Sequence, residues 1–328
     1  MKCINKWICL SLLIAVSCVS GCGKTSAVIE QPYDVYATAA DFGLSSNGSA
    51  EAKSYFASDL CVSEDVAIGT DSTDSQVAEG AGTFNLETNT VVYAKNLYER
   101  LYPASTTKIL TAYIALKYCD DLDAMVTVSE NAVNQASDSS VCNLKAGDVI
   151  RLRDLLYGLM LRSGNDAAVA IAEYISGDVD SFAALMNQEA AAMGATRSHF
   201  VNPNGLPDEN HYTCVYDMYL IFSNAIKNDT FVSIIGTTSY DVTYTDASGE
   251  AVTHTWENTN QYLTGNATTP DGFQIVGGET GTTGEAGYCL VLYSYNPSGQ
   301  PIISIVFKAD GKSNLYLLMN EMLQGFAI

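Results

Sequence analysis

The chain has 328 residues, 47% of them hydrophobic, and carries 37 acidic against 16 basic side chains for a formal charge of −21. That is enough apolar material to bury a sizeable core, as one large domain or two smaller ones. The charge argues against nucleic acid as a partner, since phosphate binding needs clustered Lys and Arg. With three histidines (His199, His211, His254) and no His/Cys cluster, it also carries no metal-site pattern, and no cofactor is expected.

Lys2 and Lys6 flank the start of an apolar stretch, WICLSLLIAVSCV, which is short for a comfortable membrane span. Small residues follow, ending in Val19-Ser20-Gly21-Cys22. A charged start, an apolar centre and a small-residue end make an export signal over residues 1–21. The last four residues also resemble the bacterial lipobox, which implies cleavage before Cys22 and a lipid on its thiol; an ordinary signal with an incidental cysteine is the competing reading. Residues 22–58, rich in Ser, Ala, Gly and Asp, read as a tether between that lipid and a folded domain over 59–328. Of the cysteines beyond Cys22, Cys61, Cys119, Cys142, Cys214 and Cys289 form no disulfide framework, being odd in number and irregularly spaced. An extracytoplasmic setting allows one pair, and the spacing selects none. Cys289, inside a strand pattern, reads as a small buried hydrophobe.

Residues 82–96 predict a hairpin turning at Glu87-Thr88-Asn89. YPASTTKILTAYIALKYC (102–119) predicts a helix starting near Pro103 and apolar almost all round, hence buried. The stretch 151–194 is helical, broken at Gly177, with Asp180 or Ser181 as the next cap and Gly194 as its end. Strands return over 238–262 and 271–310, the last two joined by Pro297-Ser298-Gly299-Gln300, and NLYLLMNEMLQ is a closing helix. Strands at both ends with helices between predict an α+β fold: one antiparallel sheet flanked by helices, plus an all-helical lobe.

Three short segments carry the chemistry. Ser105 and Lys108, three apart on one helical face, form a nucleophile and base without histidine, because burial lowers a lysine's pKa. Ser163-Gly164-Asn165 makes a tight turn between helices that can bring a second hydroxyl and an amide to the same point. Gly277-Gly278-Glu279-Thr280-Gly281-Thr282-Thr283 enters an apolar strand with a lone acid at its mouth. In that order the three segments match the pattern of the penicillin-recognising serine enzymes.

PASTTKILTAY, LMLRSGNDAAVAIAE, HFVNPNGLPDENHYT and GTTGEAGYCLVL together resemble the D-alanyl-D-alanine carboxypeptidases, the low-molecular-mass penicillin-binding proteins, over roughly residues 60–328. The Asn202-Pro203-x-Gly205-Leu206 segment is a particular mark of that family. The resemblance implies a β-lactamase-like transpeptidase fold, with Ser105 as the acylated nucleophile, Lys108 as its base and Ser163 as a proton relay. Asn165 would hold the peptide bond, Thr280 with Gly281 the terminal carboxylate, and the backbone N–H groups of Ser105 and Thr282 the oxyanion. It implies removal of the last D-alanine from a peptidoglycan stem pentapeptide, with β-lactams as inhibitors and an extracytoplasmic location at the membrane. Many members carry a further C-terminal β-domain and an amphipathic helix; with the sequence ending at Ile328, both are expected to be absent.

One departure stands out. The family's third motif is Lys-Thr-Gly, and this chain has Glu279 in place of the lysine. The implied consequences are repulsion of the substrate's carboxylate and an ion pair with Lys108 that keeps the base protonated, leaving a weakened enzyme. The alternative is a poorly catalytic relative that binds peptidoglycan or a partner. On that reasoning Glu279→Lys raises activity, and Lys308 or Lys312 could replace the lost cation. A class A β-lactamase ranks lower, since the second motif is Ser-Gly-Asn, the Asn-Pro-x-Gly-Leu segment points elsewhere, and Glu189, which could be imagined as a deacylation base, reads as an exposed helix position.

Overall fold

The computed structural model describes residues 57–328, of which Asp59–Ile328 form one compact unit. The signal, the lipobox and nearly all of the expected tether lie outside the described residues.

The hairpin forms as expected: β1 (Ala78–Asn85) and β2 (Thr90–Lys95) pair antiparallel with Asn85 opposite Thr90. Helix α1 (Lys108–Tyr118) begins later than the sequence suggests, because residues Ala104–Thr107 form a separate 3₁₀ turn after Pro103. A short strand β3 (Met125–Thr127), a one-turn helix α2 (Glu130–Val133) and a second short strand β4 (Val149–Arg151) follow. The helical block then comprises α3 (Leu152–Leu161), α4 (Asn165–Ser176) and α5 (Val179–Ala192). Gly177 ends α4 at φ 86°, as its place in the sequence implied. The cap of α5 is Asp178, whose carboxylate accepts from Ser181 N, rather than Asp180 or Ser181. Helices α6 (Val215–Ala225) and α7 (Asp229–Ile235) lead into β5 (Ser239–Thr245), β6 (Ala251–Glu257), β7 (Gln274–Thr283), β8 (Gly287–Tyr295), β9 (Pro301–Ala309) and the closing α8 (Lys312–Phe326).

The fold is α+β, but it contains two sheets where one was expected. The larger has the order β2-β1-β9-β8-β7, so the first hairpin joins the last three strands through β1 and β9. The smaller, β3-β4-β5-β6, claims the strands around 238–262. In the larger sheet alternation sorts the side chains. Leu290, Leu292, Ile302 and Val306 face Leu315, Leu318, Met319 and Met322 of α8. Val291, Ile303, Ile305 and Phe307 face the helical side, where Ile109, Leu110, Leu155 and Phe222 complete the main core. The central strands are therefore covered on both faces, which explains why β8 and β9 read as continuous apolar runs. All five described cysteines are free, with Cys289 fully buried.

Candidate active site

The segments singled out in the sequence meet where the 3₁₀ turn, the N-terminus of α4 and strand β7 converge. Ser105 sits in that turn, directly after Ala104, which is held at φ 49°. Two glycines make the turn possible. Gly205 has φ 85°, and a Cβ there would lie 1.8 Å from the carbonyl oxygen of Ala104. A Cβ on Gly281 would lie 2.9 Å from the backbone nitrogen of Ser105. The Asn-Pro-x-Gly-Leu loop thus packs under the turn that carries Ser105, and β7 passes directly against the Ser105 N–H.

Lys108 is wholly buried, and its ammonium has three partners: Ser105 Oγ at 2.9 Å, Asn165 Oδ1 at 2.8 Å and the Asn204 carbonyl at 2.8 Å. An ammonium has three donors, and all are used. Burial lowers the Lys108 pKa to about 8, against the opposing influence of Glu279, Cys142 and Asp166. A neutral amine in this position presents its lone pair to the Ser105 hydroxyl and can take its proton.

Ser163 stands at φ 53°, nearly buried, with its hydroxyl making no hydrogen bond. Asn165 opens α4, and its N–H donates to the Ser140 carbonyl at 2.8 Å. Asp166 accepts from the backbone of Cys142 and Leu144 and so ties the loop bearing Ser140 to α4. His211 supports the turn from below. Its Nδ1 accepts from Val201 N, so the ring proton is on Nε2 and donates to Thr107 Oγ1 at 2.9 Å. Burial pulls the His211 pKa down to about 4, which keeps this tautomer neutral.

Glu279 is placed differently from the expectation. It is 1% exposed, and neither carboxylate oxygen has a hydrogen-bond partner. It is not among the residues lining the cleft. Among the described residues it forms no ion pair with Lys108, whose donors point elsewhere. Lys108 and Ser163 are near enough to favour its ionised form, though no hydrogen bond closes with Ser163. Burial outweighs both and raises its pKa well above the usual carboxylate range. Glu279 does favour the Lys108 ammonium, as the sequence suggested, but desolvation outweighs that influence and the net shift of the lysine is downward, to about 8.

The cleft opens on both sides of Ser105. One side, of about 390 Å³, is lined by Ser163, Thr259, Thr280, Gly281, Thr282 and Lys312 among others. The other runs past Asn165, Asn204, Leu206 and Glu285. Thr280 and Thr259 share a hydroxyl contact of 2.7 Å. Lys312, at the start of α8, supplies a cation to the first side, whereas Lys308 is paired with Glu79 at 2.8 Å. Glu189 is buried and bonded to Lys117 and Tyr118, not an exposed helix position. Sequence reasoning missed Asn204 and Ser140. Asn204 lies inside a segment already noted, whereas nothing marks Ser140.

Residues 69–311 match the family model described as D-alanyl-D-alanine carboxypeptidase. The chain is 33% identical over 251 residues to D-alanyl-D-alanine carboxypeptidase DacF of Bacillus subtilis, an alignment covering 75% of this chain and 61% of that protein. It is 34% identical over 265 residues to the D-alanyl-D-alanine carboxypeptidase of Streptomyces sp. strain K15, covering 76% of this chain and 88% of that one. The crystal structure of the Streptomyces K15 DD-transpeptidase superposes with a TM-score of 0.68 at 33% identity, over 75% of this chain and 96% of that chain. A family match over most of the sequence, and a shared penicillin-binding, β-lactamase-like fold around one cleft, establish that the chain belongs to the D-alanyl-D-alanine carboxypeptidase family.

Proposed function

We propose that the protein is a serine-type carboxypeptidase that removes the terminal D-alanine of peptidoglycan stem pentapeptides through an acyl-enzyme on Ser105. The observation that carries this reading is the contact between Ser105 Oγ and a buried Lys108 whose pKa is lowered to about 8. Lys108 takes the hydroxyl proton as Oγ attacks the penultimate D-alanine carbonyl. The backbone N–H groups of Ser105 and Thr282 receive the oxyanion, which is usually the largest electrostatic contribution. Asn165 orients the peptide bond, and Ser163 passes a proton to the departing amine. Water then hydrolyses the ester. β-Lactams acylate the same hydroxyl.

The terminal carboxylate falls on the side of the cleft holding Thr280, Thr282 and Lys312. Glu279 stands where the family resemblance places a lysine, but it is buried off the cleft wall and burial pushes its pKa up, which weakens its repulsion of a substrate anion. Lys312 is the cation available to receive it. Lys312→Ala is expected to lower kcat/KM for a D-Ala-D-Ala pentapeptide about tenfold, chiefly through KM, the equivalent of about 1.4 kcal/mol. Release of D-alanine by the native protein tests the function itself; no release and no β-lactam adduct would leave a peptidoglycan-binding relative as the better reading.

Supported by the lipobox-like Val19-Ser20-Gly21-Cys22, the reading places the protein on the outer face of a bacterial membrane, anchored by lipid on Cys22. Cys22→Ala is expected to shift the protein from the membrane to the soluble fraction or to leave it unprocessed. Normal processing with unchanged membrane association defeats that part of the proposal.

A further inference from the structure

We propose that Glu279 is the proton store of the site, a carboxylic acid that gives its proton to Ser163 Oγ as the leaving amine departs and recovers one from water as the acyl-enzyme is hydrolysed. The proposal rests on the acyl-enzyme reading above. It starts from two orphans. Both Glu279 oxygens and the Ser163 hydroxyl are buried without hydrogen-bond partners, and they are near neighbours. Buried polar groups left unpaired are rare and costly, and two side by side call for a shared explanation. Lys108 does not supply it, because its donors are committed to Ser105, Asn165 and Asn204.

As an ionised group, Glu279 would be a dry carboxylate with no donor. As an acid, it has an O–H to offer, and the Ser163 hydroxyl can accept it. Ser163 lines the cleft while Glu279 does not, so the acid reaches substrate only through that hydroxyl. Glu279 is therefore a positioning residue with a proton to lend.

The steps balance. In acylation the Ser105 proton moves to Lys108, and the Oγ–C bond forms. The C–N bond then breaks; Ser163 protonates the nitrogen and is refilled by Glu279. The acyl-enzyme now faces a Lys108 ammonium and a Glu279 carboxylate, which attract each other in a dry site. In hydrolysis water attacks the ester carbonyl and gives its proton through Ser163 to Glu279. The Ser105 oxygen leaves and takes its proton back from Lys108. Acylation thus creates the base that deacylation uses. A β-lactam runs the same sequence, so its ester on Ser105 is shed rather than held, and the protein turns over penicillin slowly.

The test is the lifetime of that ester. The protein is labelled with benzylpenicillin, free drug is removed, and intact mass is followed with time. Glu279→Gln keeps the size and an amide donor for Ser163 but can neither lend nor recover the proton. Its adduct on Ser105 is expected to last at least tenfold longer than the native one, while its melting temperature stays near native. Equal lifetimes overturn the proposal and leave the Ser105 reading standing. No adduct on the native protein removes the acyl-enzyme reading, and this inference with it. Where Glu279→Gln takes no label, Glu279→Asp, which retains a carboxyl group, must both label and shed; failure of that variant also overturns the proposal.

Discussion

Ser105→Ala is expected to abolish both D-alanine release and the penicilloyl mass increment. The loss in kcat should be on the order of 10⁴-fold or more, the scale seen when a covalent nucleophile is removed. The fold should survive. Ser105 is only partly buried, and its hydroxyl is one of three partners of Lys108, so about 1 kcal/mol or less of stability is at stake. Peptide mapping of the labelled native protein places the adduct. A label on Ser163, or one that persists in Ser105→Ala, would reverse the assignment of nucleophile and relay.

Lys108→Met is expected to lower kcat by about 10³-fold, within the usual range for a general base, without a matching loss of stability. The native lysine carries the desolvation cost of a buried ammonium, so an apolar chain of similar length refills the volume cheaply. Asn165 Oδ1 and the Asn204 carbonyl each lose a donor, which offsets part of that gain. The native enzyme's pH profile carries the same information. The reacting form of Lys108 is the neutral amine, so kcat/KM rises with pH and levels off above about 8. Glu279, Asp166 and Cys142 face the same amine. Burial raises the Cys142 thiol well above its ordinary value, so it stays neutral across that range. A profile flat from pH 6 to 9 would remove Lys108 from the role of base.

What the sequence made legible is local. The 82–96 hairpin, the break at Gly177 and the Pro297–Gln300 turn rest on turn chemistry and alternation, and each forms as expected. The three site segments were found because their residue types are chemically specific at fixed spacing, and the fold brings them to one cleft. What depends on the company a residue keeps was not legible. Strands β3 and β4 are three residues long, too short for a period-2 signal, so the smaller sheet went unseen. Glu279 reads as a charged cleft residue from its position in a motif. Its burial is set by Lys108, Ser163 and the strand beside it, none of them adjacent in sequence. Glu189 follows the same rule in reverse: an apparently exposed helix position becomes buried because Lys117 and Tyr118 close over it.

The strand order of the larger sheet also dictates when the site can exist. Strand β1, made early and paired at once with β2, finds its second partner only in β9, with Ala78 opposite Ala309. Ser105 leans on Gly281 of β7, which is likewise made late. Pairings this distant in sequence are slow to form, since loop closure precedes any reward from contact. During synthesis, the helices between β2 and β5 can collapse on one another while the first hairpin waits with an unpaired edge. The nascent chain therefore passes through a stage in which its helices are packed but Ser105 has no β7 beside it. The cleft around Ser105 is complete only when the last strands arrive, and until then the chain is exposed to aggregation through β1.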